Sequence, residues 1–302
     1  MINIATILTC FNRKAKTIRC LTELFRVLDV YNFNSKENID LSIFLTDDAC
    51  TDGTVEAIAE VCKNRDLHII KGNGNCFWAG GMRLAWREAM KQHDKWDFYL
   101  LLNDDTTVMD NVFDELMECH EYALTHYGKV GVYSGCTCDE KKSDIITYSG
   151  DVMNPQTKGW NRLLPDGTPQ MVDMTNANIL LVAKQVVDTI GIFYDGYIHG
   201  AADQDYGMMA RRANFPVLIT AHACGYCEYD HIEEKDVCKK LMNMSLKERK
   251  AYIYKPNHSD KDYLLFIKRN MPKRYPVSKI LRAIRLYLPT LYYRICVFRG
   301  IY

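Results

Sequence analysis

The sequence predicts an α/β protein built on a mostly parallel sheet with helices on both faces. Through the first hundred residues, short apolar and β-branched runs alternate with helix-length amphipathic stretches, a pattern typical of βαβ units. Crossovers between parallel strands are almost always right-handed, which places helices on both faces of the sheet. The sequence contains no internal repeat and no low-complexity linker, which favours one continuous domain.

The predicted elements follow one another in regular order. Each predicted strand is a short apolar run bounded by polar or glycine-containing turns, and these runs lie at residues 2–9, 41–46, 67–70 and 98–102. Apolar residues recur at helical spacing between them, which predicts helices at 14–28, 54–64, 81–92 and 111–125. Beyond Lys129 we expect strands at 130–134, 179–182 and 216–220, a helix at 203–214 and a turn-rich stretch at 154–167.

The C-terminal part of the chain differs in texture, so we expect a main domain over 1–235 and a helical extension over 236–302. Residues 277–302 mix Leu, Ile and Tyr with five basic residues, namely Lys279, Arg282, Arg285, Arg294 and Arg299. An amphipathic helix of this composition can lie on an anionic membrane surface. The alternative is a helix that packs on the domain or against a partner in a homo-oligomer.

Composition narrows the class of protein. With 48% hydrophobic and 25% charged residues, the 302-residue chain has the balance of a soluble globular protein. Its 38 basic and 38 acidic residues cancel, and this lacks the basic footprint of a nucleic-acid-binding protein. The sequence shows neither a signal peptide nor an apolar run of transmembrane length, so we expect a cytoplasmic location. The twelve cysteines are expected to be reduced thiols; a zinc site from Cys136, Cys138, Cys224 and Cys227 is the weaker alternative.

Polar segments follow the first four predicted strands. In open parallel sheets, ligands bind beyond the carboxyl ends of the strands. The segments at these ends are residues 9–13, 46–53, 72–75 and 103–106, all polar or rich in glycine. We therefore expect them to meet at one edge of the sheet and to form the binding crevice.

Two acidic clusters in these segments carry the chemistry. Asp47 and Asp48 can accept hydrogen bonds from a ribose or a base, although the following Asp52 and Gly53 also make an ordinary turn and helix start. Asp104 and Asp105 end the most apolar run of the chain, where carboxylates are costly unless they are paired. Mg²⁺ or Mn²⁺ bridging a diphosphate would pair them; a solvated loop start is the alternative.

Two further residues have a functional and an ordinary interpretation. Asp203 opens a predicted helix and could act as a general base towards a hydroxyl group, yet acids are favoured in any first helical turn. His231 follows the last predicted strand and could bind a metal, whereas a lone histidine is more often structural.

Taken in order, these segments resemble family 2 of the glycosyltransferases, in particular its rhamnosyltransferase-like branch. The motifs that carry the resemblance are Thr9-Cys10-Phe11-Asn12-Arg13, Asp47-Asp48-Ala49-Cys50-Thr51-Asp52-Gly53-Thr54, Gly72-Asn73-Gly74-Asn75, Asn103-Asp104-Asp105 and Ala202-Asp203-Gln204-Asp205. The resemblance spans residues 2–231. The chain departs from the family pattern at three positions: Cys50 replaces the usual serine, Asn103 the first aspartate of the metal motif, and Ala202 the common glutamate beside the base.

The resemblance implies a GT-A fold and a role for each matching residue. The implied donor-binding residues are Thr9, Phe11, Arg13, Asp47, Asp48, Asn75, Arg83 and Asp104. Asp105 and His231 would bind a divalent cation, Mg²⁺ or Mn²⁺, and Asp203 would be the catalytic base of an inverting transfer. On the acceptor side we expect Asp205, Trp160 and Asn178.

The implied substrates are a dTDP- or UDP-linked sugar and a glycan or lipid-linked acceptor, in cell-surface polysaccharide synthesis at the inner face of the membrane. Two other functions stay open. A nucleotidyltransferase would normally carry a glycine-rich basic loop after its first strand, and residues 9–13 contain no glycine. A non-catalytic nucleotide-sugar-binding or scaffold protein would be favoured if Asp105 and Asp203 did not face one pocket.

Overall fold

The computed structural model describes residues 1–156, 159–229, 232–255 and 260–302. The chain divides into two compact units. The first comprises Met1–Asp195 and Asp203–Tyr229, and the second comprises Gly196–Ala202 and Asp230–Tyr302. The sequence pattern did not assign residues 196–202 to the C-terminal part of the chain.

The described residues of the first unit contain twelve strands in two sheets. The strands are β1 (Ile2–Cys10), β2 (Ile39–Asp47), β3 (Asp66–Lys71), β4 (Phe98–Leu102), β5 (Thr107–Val108), β6 (Val132–Cys138), β7 (Ile146–Tyr148), β8 (Gly150–Met153), β9 (Trp160–Leu163), β10 (Gln170–Met171), β11 (Ile179–Ala183) and β12 (Val217–Tyr226). The helices that accompany them are α1 (Lys14–Asn34), α2 (Thr54–Val61), α3 (Phe77–Ala89), α4 (Val112–Tyr127), α5 (Lys184–Ile190) and α6 (Ala202–Arg212), with a 3-10 helix at Met90–Lys95.

The large sheet has the order β10-β12-β6-β11-β4-β1-β2-β3, with β5 beside β12 and β7 beside β6. β1 pairs in parallel with β2 and with β4, β2 pairs in parallel with β3, and β6 does so with β12. β11 runs antiparallel between β4 and β6. The predicted α/β class with a mostly parallel sheet is confirmed.

The centre of this sheet forms the core. All five residues of β4 and all five of β11 are buried, as expected for strands covered on both faces. Trp86 of α3 packs on Tyr99 of β4, with ring centroids 5.8 Å apart. The most apolar run of the sequence is thus a central strand of the sheet. The polar residues 103–106 follow directly after this buried strand.

Helix α3 lies unusually close to the end of β1. A Cβ atom added at Gly81 would lie 2.1 Å from Thr9 Oγ1 and 2.7 Å from Thr9 Cβ. Thr46 Oγ1 donates a hydrogen bond of 2.8 Å to the Gly81 carbonyl. Because Gly81 has no side chain, α3 can lie this close to the ends of β1 and β2.

The structure adds detail to two sequence predictions about local structure. The stretch 154–167, expected to be rich in turns, also contains β9, which pairs antiparallel with β8 in a separate two-stranded sheet. The C-terminal stretch, expected as one amphipathic helix, divides at Leu288, whose backbone angles are φ −132° and ψ 59°. Pro289 follows, and a proline disfavours the helical conformation in the residue before it.

The second unit is helical in its described residues. It contains α7 (Glu234–Met242), α8 (Leu246–Ile253), α9 (Asp260–Asn270), α10 (Tyr275–Tyr287) and α11 (Pro289–Phe298), with a 3-10 turn at Pro272–Arg274. The segment 196–202 belongs to it because the buried Asp262 carboxylate accepts three backbone N–H groups, those of Ile198, His199 and Gly200. No helix among the described residues is long and apolar enough to cross a membrane.

Two of the tail's basic residues lie inside this unit. Arg282 and Arg285 donate to the Glu234 carboxylate at 2.8 and 2.5 Å, and both lie within 3.6 Å of Asp260. Buried arginines are found where carboxylates pair them in this way. Arg282 and Arg285 therefore hold α10 to α7 and α9 and are not part of a basic surface.

A pair of adjacent glycines tests the close approach of α3. We expect Gly81→Ala to destabilise the protein by about 1–3 kcal/mol, because the new methyl group overlaps Thr9. Gly80→Ala is the matched control: its Cβ would meet Cys76 Cβ at 3.7 Å, an ordinary contact, so we expect stabilisation of about 0.4–1 kcal/mol. Urea unfolding of both variants measures the two effects, and equal stabilities would contradict the packing argument.

Candidate functional site

The carboxyl ends of β1, β2 and β3 meet at one edge of the sheet. Cys10 lies opposite Asp47, and Asp47 lies opposite Lys71. The backbone continues this alignment past the strands, since Asp48 N donates to Cys10 O at 3.0 Å and Gly72 N donates to Asp47 O at 2.7 Å. The structure thus brings together the segments 9–13, 46–53 and 72–75, as the sequence predicts.

Asp48 organises the loop that follows β3. Its buried carboxylate accepts hydrogen bonds from Gly74 N at 2.7 Å, Cys76 N at 2.9 Å and Phe77 N at 3.3 Å. The last two N–H groups lie at the start of α3 and have no partner within the helix. Asp48 therefore caps α3 from a neighbouring strand, and its predicted contact with the donor nucleoside stays a prediction.

Strained backbone concentrates beside these segments. Among the described residues, five non-glycine residues have positive φ, and three of them, Asn12, Ala49 and Phe77, lie in or next to these segments. Such conformations cost free energy and persist where surrounding contacts enforce them, often at functional sites. Asn12 shows one of these contacts, because its Oδ1 accepts the Thr51 N–H at 2.8 Å.

Arg13 pairs both carboxylates that follow β4. Its Nη1 lies 3.1 Å from Asp104 Oδ1 and 2.7 Å from Asp105 Oδ2. Thr17 Oγ1 adds a hydrogen bond of 3.1 Å to Asp104 Oδ2. The structure therefore places the predicted donor-binding Arg13 against the predicted metal motif, and the guanidinium supplies the pairing that these acids require.

The electrostatics of Asp104 reflect its burial. Desolvation raises the pKa of its carboxyl group to about 6, and the neighbouring Asp105 charge adds to this; Arg13 and the Thr17 hydroxyl oppose the increase. Burial exceeds the effect of the ion pair. Asp104 thus titrates close to neutrality, and an added cation would favour its charged form.

The donor atoms at this edge fit a hard divalent cation. Carboxylate oxygens are the ligands that Mg²⁺ and Mn²⁺ prefer. Asp105 Oδ1 accepts no hydrogen bond from the described residues, and the buried Thr106 hydroxyl beside it has no partner there either. Asp104 and Asp105 can therefore hold a cation, whereas the predicted ligand His231 lies outside the described residues.

The predicted base is connected to this motif through two consecutive residues. Asp203 Oδ2 accepts the Ala177 N–H at 3.0 Å, and Asn178 O accepts the Asn103 N–H at 3.1 Å. Asp203 lies in the first turn of α6 and its Oδ1 accepts the Gln204 N–H at 2.9 Å. The chain between β10 and β11 thus holds the base and the acidic motif close together.

The other predicted site residues have varied surroundings. Thr9 Oγ1 donates to Thr46 O at 3.4 Å beneath α3, while Phe11 is 52% exposed and Asn75 is exposed. Arg83 is buried, donating to Tyr194 O at 3.2 Å and pairing with Asp195 at 3.1 Å. The donor contacts of these residues stay predictions.

On the expected acceptor side, Asp205 and Asn178 are buried. Asn178 Nδ2 donates to Cys227 Sγ at 3.2 Å. Trp160 begins β9, at the start of the strand paired with β8. Their roles towards an acceptor stay predictions as well.

Sequence reasoning missed three contributors to the site. Thr17 lies in the first turn of α1, four residues after Arg13, and this spacing could have indicated it. Trp78 Nε1 donates to Asn103 Oδ1 at 2.7 Å, which gives a partner to the asparagine that departs from the family motif. The thiols of Cys10 and Cys50, 3.8 Å apart, come from segments whose proximity only the fold establishes.

The model of Glycosyl transferase family 2 matches residues 6–172, more than half of the chain. The protein belongs to this family. Its fold is that of the GT-A glycosyltransferases, and the family assignment makes it a glycosyltransferase. The rhamnosyltransferase-like branch stays a prediction. No curated protein sequence matches this glycosyltransferase significantly.

Solved structures share the fold at low sequence identity. The mannosyltransferase PcManGT from Pyrobaculum calidifontis, in complex with GDP-Man and Mn²⁺, is 12% identical with a TM-score of 0.54, over 99% of this chain and 80% of that one. S. aureus TarS 1-349 in complex with UDP is 13% identical with a TM-score of 0.55, over 99% and 92% of the two chains. GalNAc-T7 with UDP, GalNAc and Mn²⁺ is 11% identical with a TM-score of 0.52, over 75% and 43%.

The raised pKa of Asp104 predicts a pH-dependent stability. Because the folded-state pKa, about 6, exceeds the unfolded value near 3.8, this group's contribution is present below the unfolded pKa and is lost as the pH rises through the folded one. In metal-free buffer, Asp104→Asn should therefore gain stability relative to wild type between about pH 4 and pH 7, by up to about 3 kcal/mol.

Asp52→Asn is a control with the opposite sign. The Thr54 hydroxyl and the Lys14 N–H lower the pKa of the Asp52 carboxyl group, so this variant should lose stability relative to wild type as the pH rises. Urea unfolding across the pH range measures both variants, and an Asp104→Asn difference that does not change with pH would contradict the desolvation argument.

Proposed function

We propose that this glycosyltransferase moves a sugar from a nucleotide-sugar donor to a hydroxyl of a glycan or lipid-linked acceptor, with inversion at the anomeric carbon. The observation that carries the proposal is the connection of the acidic motif to Asp203 through residues 177–178. A base and a diphosphate-binding motif at one sheet edge are what a direct displacement needs. The similar folds in complex with GDP-Man and with UDP support a nucleotide-linked donor.

We assign a divalent cation to Asp105 and Asp104. Similar folds are in complex with Mn²⁺, and the described residues offer the matching carboxylate oxygens. When bound, the cation supplies neutralising charge for the departing nucleoside diphosphate. The Arg13 guanidinium, beside both carboxylates, is placed to contact the donor phosphates, for which arginine geometry is well suited.

In this proposal, Asp203 removes the proton of the acceptor hydroxyl. The first turn of α6 and the N–H groups of Ala177 and Gln204 surround its carboxylate with positive partial charge. These contacts fix the orientation of the carboxylate, which a general base requires. Asp47, whose Oδ1 accepts the Cys50 N–H at 2.8 Å, and Thr9 line the nucleoside end of the same edge.

The proposed donor is dTDP-rhamnose or a UDP-linked hexose or galactofuranose, and the proposed pathway is cell-surface polysaccharide synthesis. The surface of α10 and α11 supports a location at the inner face of the membrane. It exposes several apolar side chains, namely Val277, Ile280, Leu288, Leu291, Val297 and Phe298. Lys279, Arg294 and Arg299 lie on the same two helices or directly after them, a composition suited to anionic lipid.

Transfer across a panel of nucleotide sugars tests the reaction and the base together. We expect one donor to react, and Asp203→Asn to lower kcat by about 10²–10⁴-fold while nucleotide binding is retained. Asp144→Asn, an exposed acid outside the site, is the control and should match wild type. Binding is measured by calorimetry, and the anomeric configuration of the product by NMR. A retained configuration would contradict inversion.

Metal dependence tests the assignment of Asp105. Transfer by wild type should require Mg²⁺ or Mn²⁺ and stop with EDTA, whereas Asp105→Asn should bind the cation and the nucleotide diphosphate more weakly because it loses a charged ligand. Calorimetric titration with Mn²⁺ measures this. If no donor binds and no cation has an effect, a scaffold function replaces the proposal; release of pyrophosphate would instead identify a nucleotidyltransferase.

A further inference from the structure

Two cysteines and an aspartate meet at the ends of β1 and β2. Cys10 is the last residue of β1 and lies opposite Asp47, the last residue of β2. Cys50 follows three residues later, where its N–H binds Asp47 Oδ1 and turns the chain back towards β1. The two sulfur atoms and a carboxylate oxygen of Asp47 lie within 4.8 Å of one another. Within the described ranges, this is the one group of three such ligands at that spacing.

The sulfur separation matches a shared tetrahedral metal ion. Zn–S bonds of about 2.3 Å at a tetrahedral angle place two thiolates about 3.8 Å apart, and Cys10 Sγ lies 3.8 Å from Cys50 Sγ. A disulfide would need the sulfurs at about 2.05 Å, much closer than they lie here. The existing geometry therefore favours a bridging cation over oxidation.

The remaining atoms are also arranged as ligands. Asp47 uses Oδ1 for the Cys50 N–H, and its Oδ2 accepts no hydrogen bond from the described residues. The Asn12 N–H donates to Cys50 Sγ at 3.3 Å. Cys10 is buried, whereas Cys50 is half-buried, so an ion can enter from the side of Cys50.

We propose that Cys10, Cys50 and Asp47 form a binding site for a thiophilic divalent cation such as Zn²⁺, separate from the carboxylates of Asp104 and Asp105. The two thiols release their protons to solvent when the ion binds, and water completes the tetrahedron. Soft sulfur ligands select against Mg²⁺, so the two sites take different ions. The ion occupies Asp47, and it therefore inhibits transfer; this second part rests on the proposed function.

The binding test titrates Cd²⁺ into reduced, metal-stripped protein and follows the ultraviolet charge-transfer band of cadmium thiolates. Wild type should bind one equivalent with this band, and Zn²⁺ should displace it. Cys50→Ser, which restores the serine usual in the resembling family, should lose the band. Cys62→Ser, at the end of α2, is the matched control and should retain it. A missing band in wild type, or an unchanged band in Cys50→Ser with a normal melting temperature, would overturn the site.

The inhibition test requires the proposed transfer activity, whereas the cadmium-binding test does not. Asp105→Asn should keep the cadmium band although it binds Mn²⁺ more weakly, so each metal site can be tested without the other. Zn²⁺ added at low concentration should inhibit Mg²⁺-dependent transfer by wild type and weaken its nucleotide binding. Cys50→Ser should be less sensitive to both effects. Equal inhibition of wild type and Cys50→Ser would overturn the inhibitory role even if Cd²⁺ binds as expected.

Discussion

Parallel pairing of β1 with β2 and β4, and of β2 with β3, places the carboxyl ends of four consecutive strands at one edge. Every candidate functional contact in the first unit depends on this alignment. A one-residue shift of β2 against β1 would separate Cys10 from Asp47 and turn the alternate side chains to the opposite face. All five residues of β4 and of β11 are buried, as expected for central strands covered on both faces.

Three carboxylates lie at this edge and are largely shielded from solvent. Backbone N–H groups hydrogen-bond to Asp48, and Arg13 forms ion pairs with Asp104 and Asp105. Arg13 neutralises the negative charge of Asp104 and Asp105, which a bound cation would also neutralise. In the proposed function, the cation binds the same two carboxylates as Arg13, and the guanidinium can turn towards the donor phosphates.

A second group of possible metal ligands, which includes two soft sulfur atoms, lies at the same edge of the sheet. The Cys10 and Cys50 sulfurs adjoin Asp47, while the hard carboxylates lie beyond Arg13. Ion selectivity between the two groups follows from ligand type. The family resemblance describes only the carboxylate group, because a serine normally occupies position 50, and the thiol pair is a property of this chain.

The sequence by itself determined the fold class, the order of strands and helices to β4, and the edge where the polar segments meet. These follow from local periodicity and from the rule that parallel strands end together. It also indicated Asp104, Asp105 and Asp203, since acids at such positions need a partner or a purpose. The sequence did not predict strand β9 or the division of the C-terminal helix at Leu288, because each depends on a short, weak local signal.

Only the tertiary structure decided which partners those residues have. α3 begins at Phe77, four residues before its predicted start, because Asp48 caps it from another strand. Arg13 reaches Asp104 across some ninety positions of sequence, and residues 196–202 join the C-terminal unit through Asp262. The periodicity of apolar residues predicts which face of a helix or strand is buried. Hydrogen bonds and ion pairs between distant segments depend instead on atomic positions, which are set by tertiary packing.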